Sequence, residues 1–220
     1  MFQKLLSYLI PINIHKQNSD INKSLEVTWN NGKLVLDSKN TNYSYGSLQR
    51  ALKKGLRFIG FERIKKFDTV LVLGVAGGSV IKTLREEIKF NGKIIGVELD
   101  KNVLELANRY FKLNEIENLE LIHDDAFEFV LKTKEKYDLI IIDIFQDTIM
   151  PNFLFEDFFI NRINSLLHLN GFILFNTMVL TEKDRERNKL YRSKFKEDYS
   201  LRMYPKIEEH NELFTIKKLS

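Results

Sequence analysis

The chain has 220 residues, 44% of them hydrophobic and 29% charged; this length buries one full core with a small appendage, and the composition is that of a soluble globule. It contains no cysteine, which excludes disulfides, thiolate metal sites and cysteine nucleophiles, and a cytoplasmic location is the matching expectation. The net charge of +4 comes from lysines interleaved with Asp and Glu, so it reads as solubility and not as a nucleic-acid footprint.

Met1 to Ile10 carries Leu5-Leu6 and Tyr8-Leu9-Ile10, interrupted by Ser7 and stopped by Pro11. That is too short for a membrane span and lacks a small-residue cleavage site, so it reads as a docking helix. Residues 25–37 alternate on both sides of Asn31-Gly32, the strongest short-range hairpin signal, which makes the N-terminal segment a small β unit. Residues 47–60 have apolar positions at helical spacing. Residues 1–60 are taken as the N-terminal helix and β unit, and 61–220 as the larger domain. Buried strands are expected near 69–74, 93–98, 119–123, 138–143 and 171–176, apolar without alternation as in a parallel sheet, with helical segments between them. A helix over about 181–197 follows; its basic stretch, Lys183 to Lys196, also carries Asp184 and Glu186 and reads as a solvated face. Leu201 to Tyr204 and Leu213 to Ile216, joined by the polar stretch Lys206 to Asn211, predict a closing antiparallel pair. The expected fold class is therefore α/β: a mostly parallel, doubly wound sheet with an antiparallel C-terminal strand pair and a small N-terminal β-hairpin unit.

The chemistry concentrates in Thr69-Val-Leu-Val-Leu-Gly-Val-Ala-Gly-Gly-Ser-Val80, followed by Ile94-Ile-Gly-Val-Glu-Leu-Asp100. A buried strand, a glycine turn, a helix and a second strand with an acidic tip form an arrangement that binds a nucleoside. Gly74, Gly77 and Gly78 let the main chain turn tightly and let a ligand approach it. Glu98 stands where a carboxylate accepts two hydrogen bonds from a ribose diol, and Asp100 where one caps the next helix. Asp143 ends the fourth apolar strand at the carboxyl edge of the sheet, where ligands of open α/β sheets lie. His15, His123, His168 and His210 show no metal-ligand spacing, so no metal is expected.

Taken together, these pieces resemble the Rossmann-like class I S-adenosylmethionine-dependent methyltransferase fold and, within it, the spermidine synthase (polyamine aminopropyltransferase) group. The resemblance rests on Gly-Lys-Leu-Val-Leu-Asp37 with Tyr43-Ser-Tyr-Gly-Ser-Leu-Gln49, Leu-Gly-Val-Ala-Gly-Gly-Ser79, Val-Glu-Leu-Asp100, His-Asp-Asp-Ala126, Tyr-Asp-Leu-Ile-Ile-Ile-Asp143 and Asn170-Gly171. It implies S-adenosylmethionine or its decarboxylated form as co-substrate, bound over Gly74, Ala76, Gly77 and Gly78. By the same resemblance Glu98 would hold the ribose hydroxyls, Leu99 would lie against the base, Asp125 would accept from the adenine amino group and the main chain at Ala126 would meet the ring. A helix N-cap is the structural role open to Asp125, and the two roles can coexist. Asp143 would be the base that takes a proton from an attacking amine. Tyr45 and Gln49 fall where the group's N-terminal β unit folds over the donor, and with Gln146 and Asp147 they are expected on the substrate side. Phe145, Ile149, Pro151, Phe153 and Phe155, together with Tyr43 and Tyr45, are candidates for the acceptor wall, core packing being the plainer reading of Phe153 and Phe155. A small-molecule acceptor is implied, with no nucleic acid and no membrane span, and a homodimer is the group's common assembly.

Two departures bear on the donor. Aminopropyltransferases usually carry an acid inside the glycine loop, where Gly77 stands here, and a second aspartate three residues after the base, where Gln146 stands with Asp147 one step later. A glycine loop at a helix N-terminus presents N–H groups and partial positive charge. The expectation is therefore the carboxylate-bearing ordinary donor, and methyl transfer over aminopropyl transfer. Either reaction displaces sulfur from a sulfonium-bound carbon, chiefly by positioning. A catalytically silent nucleoside-binding relative is the alternative from another class. A nucleic-acid methyltransferase lacks its Asn-Pro-Pro-Tyr type motif here, and a dehydrogenase does not match Asp124-Asp125-Ala126, which belongs to an adenine pocket of the methyltransferase kind.

Overall fold

Asn31 and Gly32 both take left-handed backbone angles, φ 49° and 72°, the pairing that lets a two-residue turn match the twist of its flanking strands. The computed structural model describes residues 2–38, 42–44, 47–145 and 149–220, with main chain alone at 42–44 and 47–48. A short helix α1 (Phe2–Leu6) precedes β1 (Ile12–Ser19), β2 (Lys23–Asn30), β3 (Lys33–Ser38) and β4 (Asn42–Ser44), which form an antiparallel sheet in sequential order. The hairpin of 25–37 is thus the centre of a four-stranded sheet. The added strand β1 reads Ile-Asn-Ile-His-Lys-Gln-Asn-Ser and is largely exposed or half-buried, so it carried little apolar signal. The segment after α1 meets the hairpin turn: the Asn31 N–H donates to the Ser7 carbonyl at 2.9 Å and the Gly32 N–H to Ser7 Oγ at 3.0 Å. Phe2, Leu5, Leu9 and Ile10 remain exposed.

The larger sheet begins after α2 (Ser47–Ile59) and α3 (Phe61–Ile64). Its strands are β5 (Thr69–Leu73), β6 (Lys93–Glu98), β7 (Leu119–His123), β8 (Tyr137–Ile142), β9 (Leu167–Met178), β10 (Tyr199–Ile207) and β11 (Asn211–Lys218). They lie in the order β10-β11-β9-β8-β5-β6-β7. Strands β5 to β8 and the β8–β9 pair are parallel, whereas β11 runs antiparallel to both β9 and β10. The expected doubly wound sheet with its antiparallel C-terminal pair is what forms. Its last elements differ in length from expectation: β9 starts at Leu167, ahead of the Asn170-Gly171 bend, and the helix expected to 197 is α8 (Glu182–Ser193), opened by a Thr181–Asp184 capping box.

Both faces of this sheet are apolar because the pleat sends alternate residues of each buried strand to opposite sides. Val70, Val72, Leu139, Ile141 and Leu174 face one core, shared with Leu52 and Leu56 of α2 and with Ile81 of α4 (Ser79–Lys82). Leu71, Leu73, Ile140, Ile142 and Phe175 face the other, shared with Phe159 and Ile163 of α7 (Asp157–Ser165) and Tyr191 of α8. The order of strands reverses between β5 and β8, so the carboxyl ends of these two flank the point where such sheets open a crevice.

The two sheets are joined at α5 (Lys101–Phe111), where Val103, Leu106 and Phe111 pack against Leu25, Val27 and Leu36. Asp100 caps α5 as expected, accepting from the Asn102 N–H at 2.8 Å, and it does more. Its other oxygen accepts from Asn22 Nδ2 at 2.6 Å and from the Ser19 hydroxyl, so the β1–β2 turn is tied to the helix start. Asp100→Ala is expected to lower stability by about 2–4 kcal/mol, since the cap and two buried hydrogen bonds are lost. Denaturant unfolding reads this, and protease cutting within residues 12–38 should rise in step.

Candidate functional site

The glycine turn closes on the protein itself. Gly74 and Gly78 take φ 89° and 74°, and Ala76 takes φ 48°, so three left-handed residues bend the chain from β5 into α4. A Cβ at Gly74 would lie 2.2 Å from the Asp143 carbonyl oxygen, and one at Gly78 would lie 2.5 Å from the Leu113 side chain. This adds a packing reason that the sequence did not show. These two glycines are required by the approach of neighbouring protein, the strand end carrying Asp143 in the first case. Gly74→Ala is expected to cost about 2–5 kcal/mol, from left-handed strain plus overpacking against a main chain that cannot rotate away. Thermal unfolding checks it, and a loss under about 1 kcal/mol would mean that the turn relaxes freely.

Glu98 ends β6 and its carboxylate reaches across to the loop. One oxygen accepts from the Val75 and Ala76 N–H groups at 3.0 and 3.1 Å, the other from the Asp100 N–H at 3.1 Å. Burial pushes its carboxyl above the ordinary range, against the pull of those three donors. Asp143 follows β8, its own N–H donating to the Leu73 carbonyl at 2.9 Å. Burial raises its carboxyl to about 6, the Asn176 side-chain donor opposing and the Glu98 charge adding to the rise. Glu98 and Asp143 thus stand near enough to repel, at the ends of strands that flank β5. The sequence singled out both residues, and the structure brings them together at the reversal of strand order.

The side expected from the sequence to meet adenine is assembled from the next crossover. The Asp124 N–H donates to the Glu98 carbonyl at 3.2 Å, which sets the start of the following turn beside β6. Asp125 caps α6 (Ala126–Lys132), accepting from the Phe127 and Glu128 N–H groups at 2.7 and 3.4 Å, both on Oδ1. Its second oxygen is not needed for the cap. Leu99 is 45% exposed beside this turn, and His123 Nε2 lies 3.0 Å from the Leu99 carbonyl oxygen, holding the segment. Ala126 is half-buried at the first position of α6.

Tyr45, Gln146 and Asp147 lie outside the described residues, as does the Tyr43 side chain. Gln49 stands half-buried in the first turn of α2, one residue before Arg50, whose guanidinium pairs with Glu208 in the β10–β11 turn at 2.7 Å. Phe153 and Phe155 belong to the core: Phe153 lies 4.9 Å from Phe159, and Phe155 lies 5.5 Å from Phe175 and 5.8 Å from Tyr191, ring to ring. Ile149 is exposed, and Phe145 and Pro151 are half-buried. Among the described residues no cluster of three or more His, Asp or Glu side chains gathers for a metal, and no helix is long and apolar enough to cross a membrane. Sequence reasoning missed Asn176 and Asn211. Asn176 Nδ2 donates to Asp143 Oδ1 at 2.9 Å, and Asn211 Nδ2 donates to Asn176 Oδ1 at 3.0 Å. A polar residue interrupting an otherwise apolar strand, as Asn176 does after Phe172-Ile-Leu-Phe175, was the available signal.

Residues 30–212 match the family model described as the spermine/spermidine synthase domain. A polyamine aminopropyltransferase of Vibrio vulnificus is 29% identical over 141 residues, 63% of this chain and 47% of that protein. The chain spans about half or less of the length of the curated relatives it matches. Among solved structures, a probable spermidine synthase from Corynebacterium glutamicum superposes with a TM-score of 0.74 at 14% identity, covering 94% of this chain and 79% of that one. A spermidine synthase in complex with the transition state analogue AdoDATO superposes with a TM-score of 0.69 at 18% identity, covering 95% and 74%. The structural likenesses carry the fold alone; with the family model covering most of the chain, strand ends, glycine turn and acidic tips included, the protein belongs to the spermine/spermidine synthase family.

Proposed function

We propose that this protein transfers an alkyl group from the sulfonium of an adenosyl donor to a small amine, and that the group is an aminopropyl chain. The carrying observation is the Glu98 carboxylate seated on the Val75 and Ala76 N–H groups. The preference for a carboxylate-bearing donor, drawn from the sequence, assumed that the loop's N–H groups were open to an anion. Two of them are given to Glu98. The charges acting on Glu98 and Asp143 are themselves carboxylates, Asp100 on the first and Glu98 on the second. Such a site repels a third carboxylate and attracts an ammonium. The decarboxylated donor presents that ammonium without a carboxylate beside it.

In this reading Glu98 keeps room for one ribose hydroxyl, because a carboxylate offers about four lone-pair sites and three N–H groups use three of them. Asp125 Oδ2 and the Ala126 main chain meet the adenine, and Leu99 covers its face. The acceptor's nitrogen lone pair forms the new C–N bond as the C–S bond breaks, its electrons returning to sulfur to leave a thioether. The proton that the amine loses passes to Asp143. A carboxyl raised to about 6 is still ionised at neutral pH and is a stronger base than an ordinary aspartate, the balance that general-base catalysis favours.

Methyl transfer is the second reading, and Gly77 favours it by standing where aminopropyltransferases carry an acid. Turnover with isotopically labelled S-adenosylmethionine and its decarboxylated form, each against putrescine and spermidine, separates the two. Transfer from the decarboxylated donor with release of methylthioadenosine is the expected result. Methyl transfer from the ordinary donor overturns the donor assignment, and binding of both without transfer leaves a silent nucleoside-binding protein.

A further inference from the structure

Asn176 is fully buried in β9 and Asn211 is buried at the start of β11. A side-chain amide has a donor end and an acceptor end, and in this place the two ends cannot be exchanged. Turned over, Asn176 would set its oxygen against the Asp143 carboxylate and its NH2 against that of Asn211, two repulsive contacts in a buried setting where unmatched polar groups are costly. The Asn211 donor and the Asp143 carboxylate therefore select the same orientation of Asn176, and the Asn211 donor holds it whether or not Asp143 is ionised.

The surrounding strands hold this pair in place. Asn176 and Leu213 are register partners, as are Met178 and Asn211. On the opposite face of β9, Thr177 Oγ1 donates to the Glu212 carbonyl at 2.8 Å, while Asn188 Nδ2 donates to Thr177 Oγ1 at 2.8 Å and to Glu212 Oε1 at 2.9 Å. The turn entering β11 is anchored by Glu208, which accepts from Arg50 Nε at 2.9 Å and Lys54 Nζ at 2.8 Å. The C-terminal hairpin is thereby fixed relative to the strand that carries the amide.

We propose that Asn211 and Asn176 are positioning residues for the base: Asn211 locks the Asn176 amide so that it donates to Asp143 Oδ1, holding that carboxylate ionised and in one orientation, with the other oxygen reserved for the acceptor amine. This rests on the reading of Asp143 as the base. Among the described residues, the charged side chain acting on Asp143 is Glu98 of β6, which opposes ionisation, as burial does; the Asn176 donor opposes both.

The test follows the Asp143 carboxyl carbon by NMR during a pH titration of the full chain, with Asp143→Asn identifying the resonance. Asn211→Leu removes the lock, and Asn211→Asp replaces the donor by an acceptor that draws the Asn176 NH2 away. The Asp143 midpoint is expected to rise by about one pH unit in Asn211→Leu, the order expected for loss of one hydrogen bond to a charged group, and further in Asn211→Asp. Asn211→Ser, too short to reach Asn176, carries the same test where the leucine variant does not fold. The acidic limb of the transfer rate should move with the resonance, a change that general loss of packing would not produce. An unmoved midpoint in all three variants overturns the proposal. Because the midpoint is read without turnover, a chain that transfers nothing contradicts the proposed function and leaves this test standing.

Discussion

Asp143→Asn is expected to lower the transfer rate by about 10²–10⁴-fold, the range typical of a lost general base, while the folded protein becomes more stable at alkaline pH. The two effects have one origin. The Asp143 carboxyl titrates near 6 in the folded chain against an ordinary value of 3.8, so the folded state holds its proton more tightly than the unfolded chain does. The stability linked to that proton is fully present below the ordinary value and is lost as pH rises through about 6. Above that, the wild type carries a buried charge that the amide variant lacks. The difference between the two proteins should therefore grow between about pH 4 and pH 6 and level off on the order of 2–3 kcal/mol. Asp37, raised to about 6 by burial and by the Glu26 charge, contributes a similar slope to both proteins and cancels in the comparison. Urea unfolding at about pH 5 and pH 8 checks the sign. Parallel pH dependence of wild type and variant would mean that burial does not raise the Asp143 carboxyl.

Replacing Glu98 should separate ligand binding from folding according to what replaces it. Glu98→Ala strands the Val75, Ala76 and Asp100 N–H groups together, and each unsatisfied buried donor costs about 1–3 kcal/mol. A loss of about 3 kcal/mol or more is expected, enough to threaten the fold of a marginally stable domain. Glu98→Gln keeps one oxygen for the loop but sets an NH2 toward either the Asp100 N–H or the ribose. The fold should survive, with affinity for an adenosyl nucleoside falling about 10–100-fold, the equivalent of one charge-assisted hydrogen bond. Circular dichroism melting and a binding titration on the two variants distinguish the roles. Equal loss of stability in both would show that Glu98 serves the loop alone.

Much of the scaffold was legible because its signals are local. The apolar runs of β5 and β8 announced strands covered on both faces, and Asn31-Gly32 announced the hairpin because few other pairs accept left-handed angles at both positions. The acidic tips at Glu98 and Asp143 followed from their place at strand ends. What was not legible depends on packing between segments distant in the chain. Strand β1 is written in polar residues whose partners lie across β2. The reason for Gly74 is a carbonyl at Asp143, which no spacing rule reveals. The Asn176–Asn211 pair joins two residues with no shared motif, and the seat that Glu98 takes on the loop joins a strand tip to main-chain N–H groups that a motif does not display.

Titration calorimetry of wild type and Glu98→Gln with methylthioadenosine addresses the central claim most directly, that an adenosine is held over the ends of β5 and β6 by this carboxylate. The account predicts saturable binding to the wild type and affinity weaker by about 10–100-fold in a variant that still folds. Identical isotherms for the two proteins, or no heat of binding for the wild type, would contradict it.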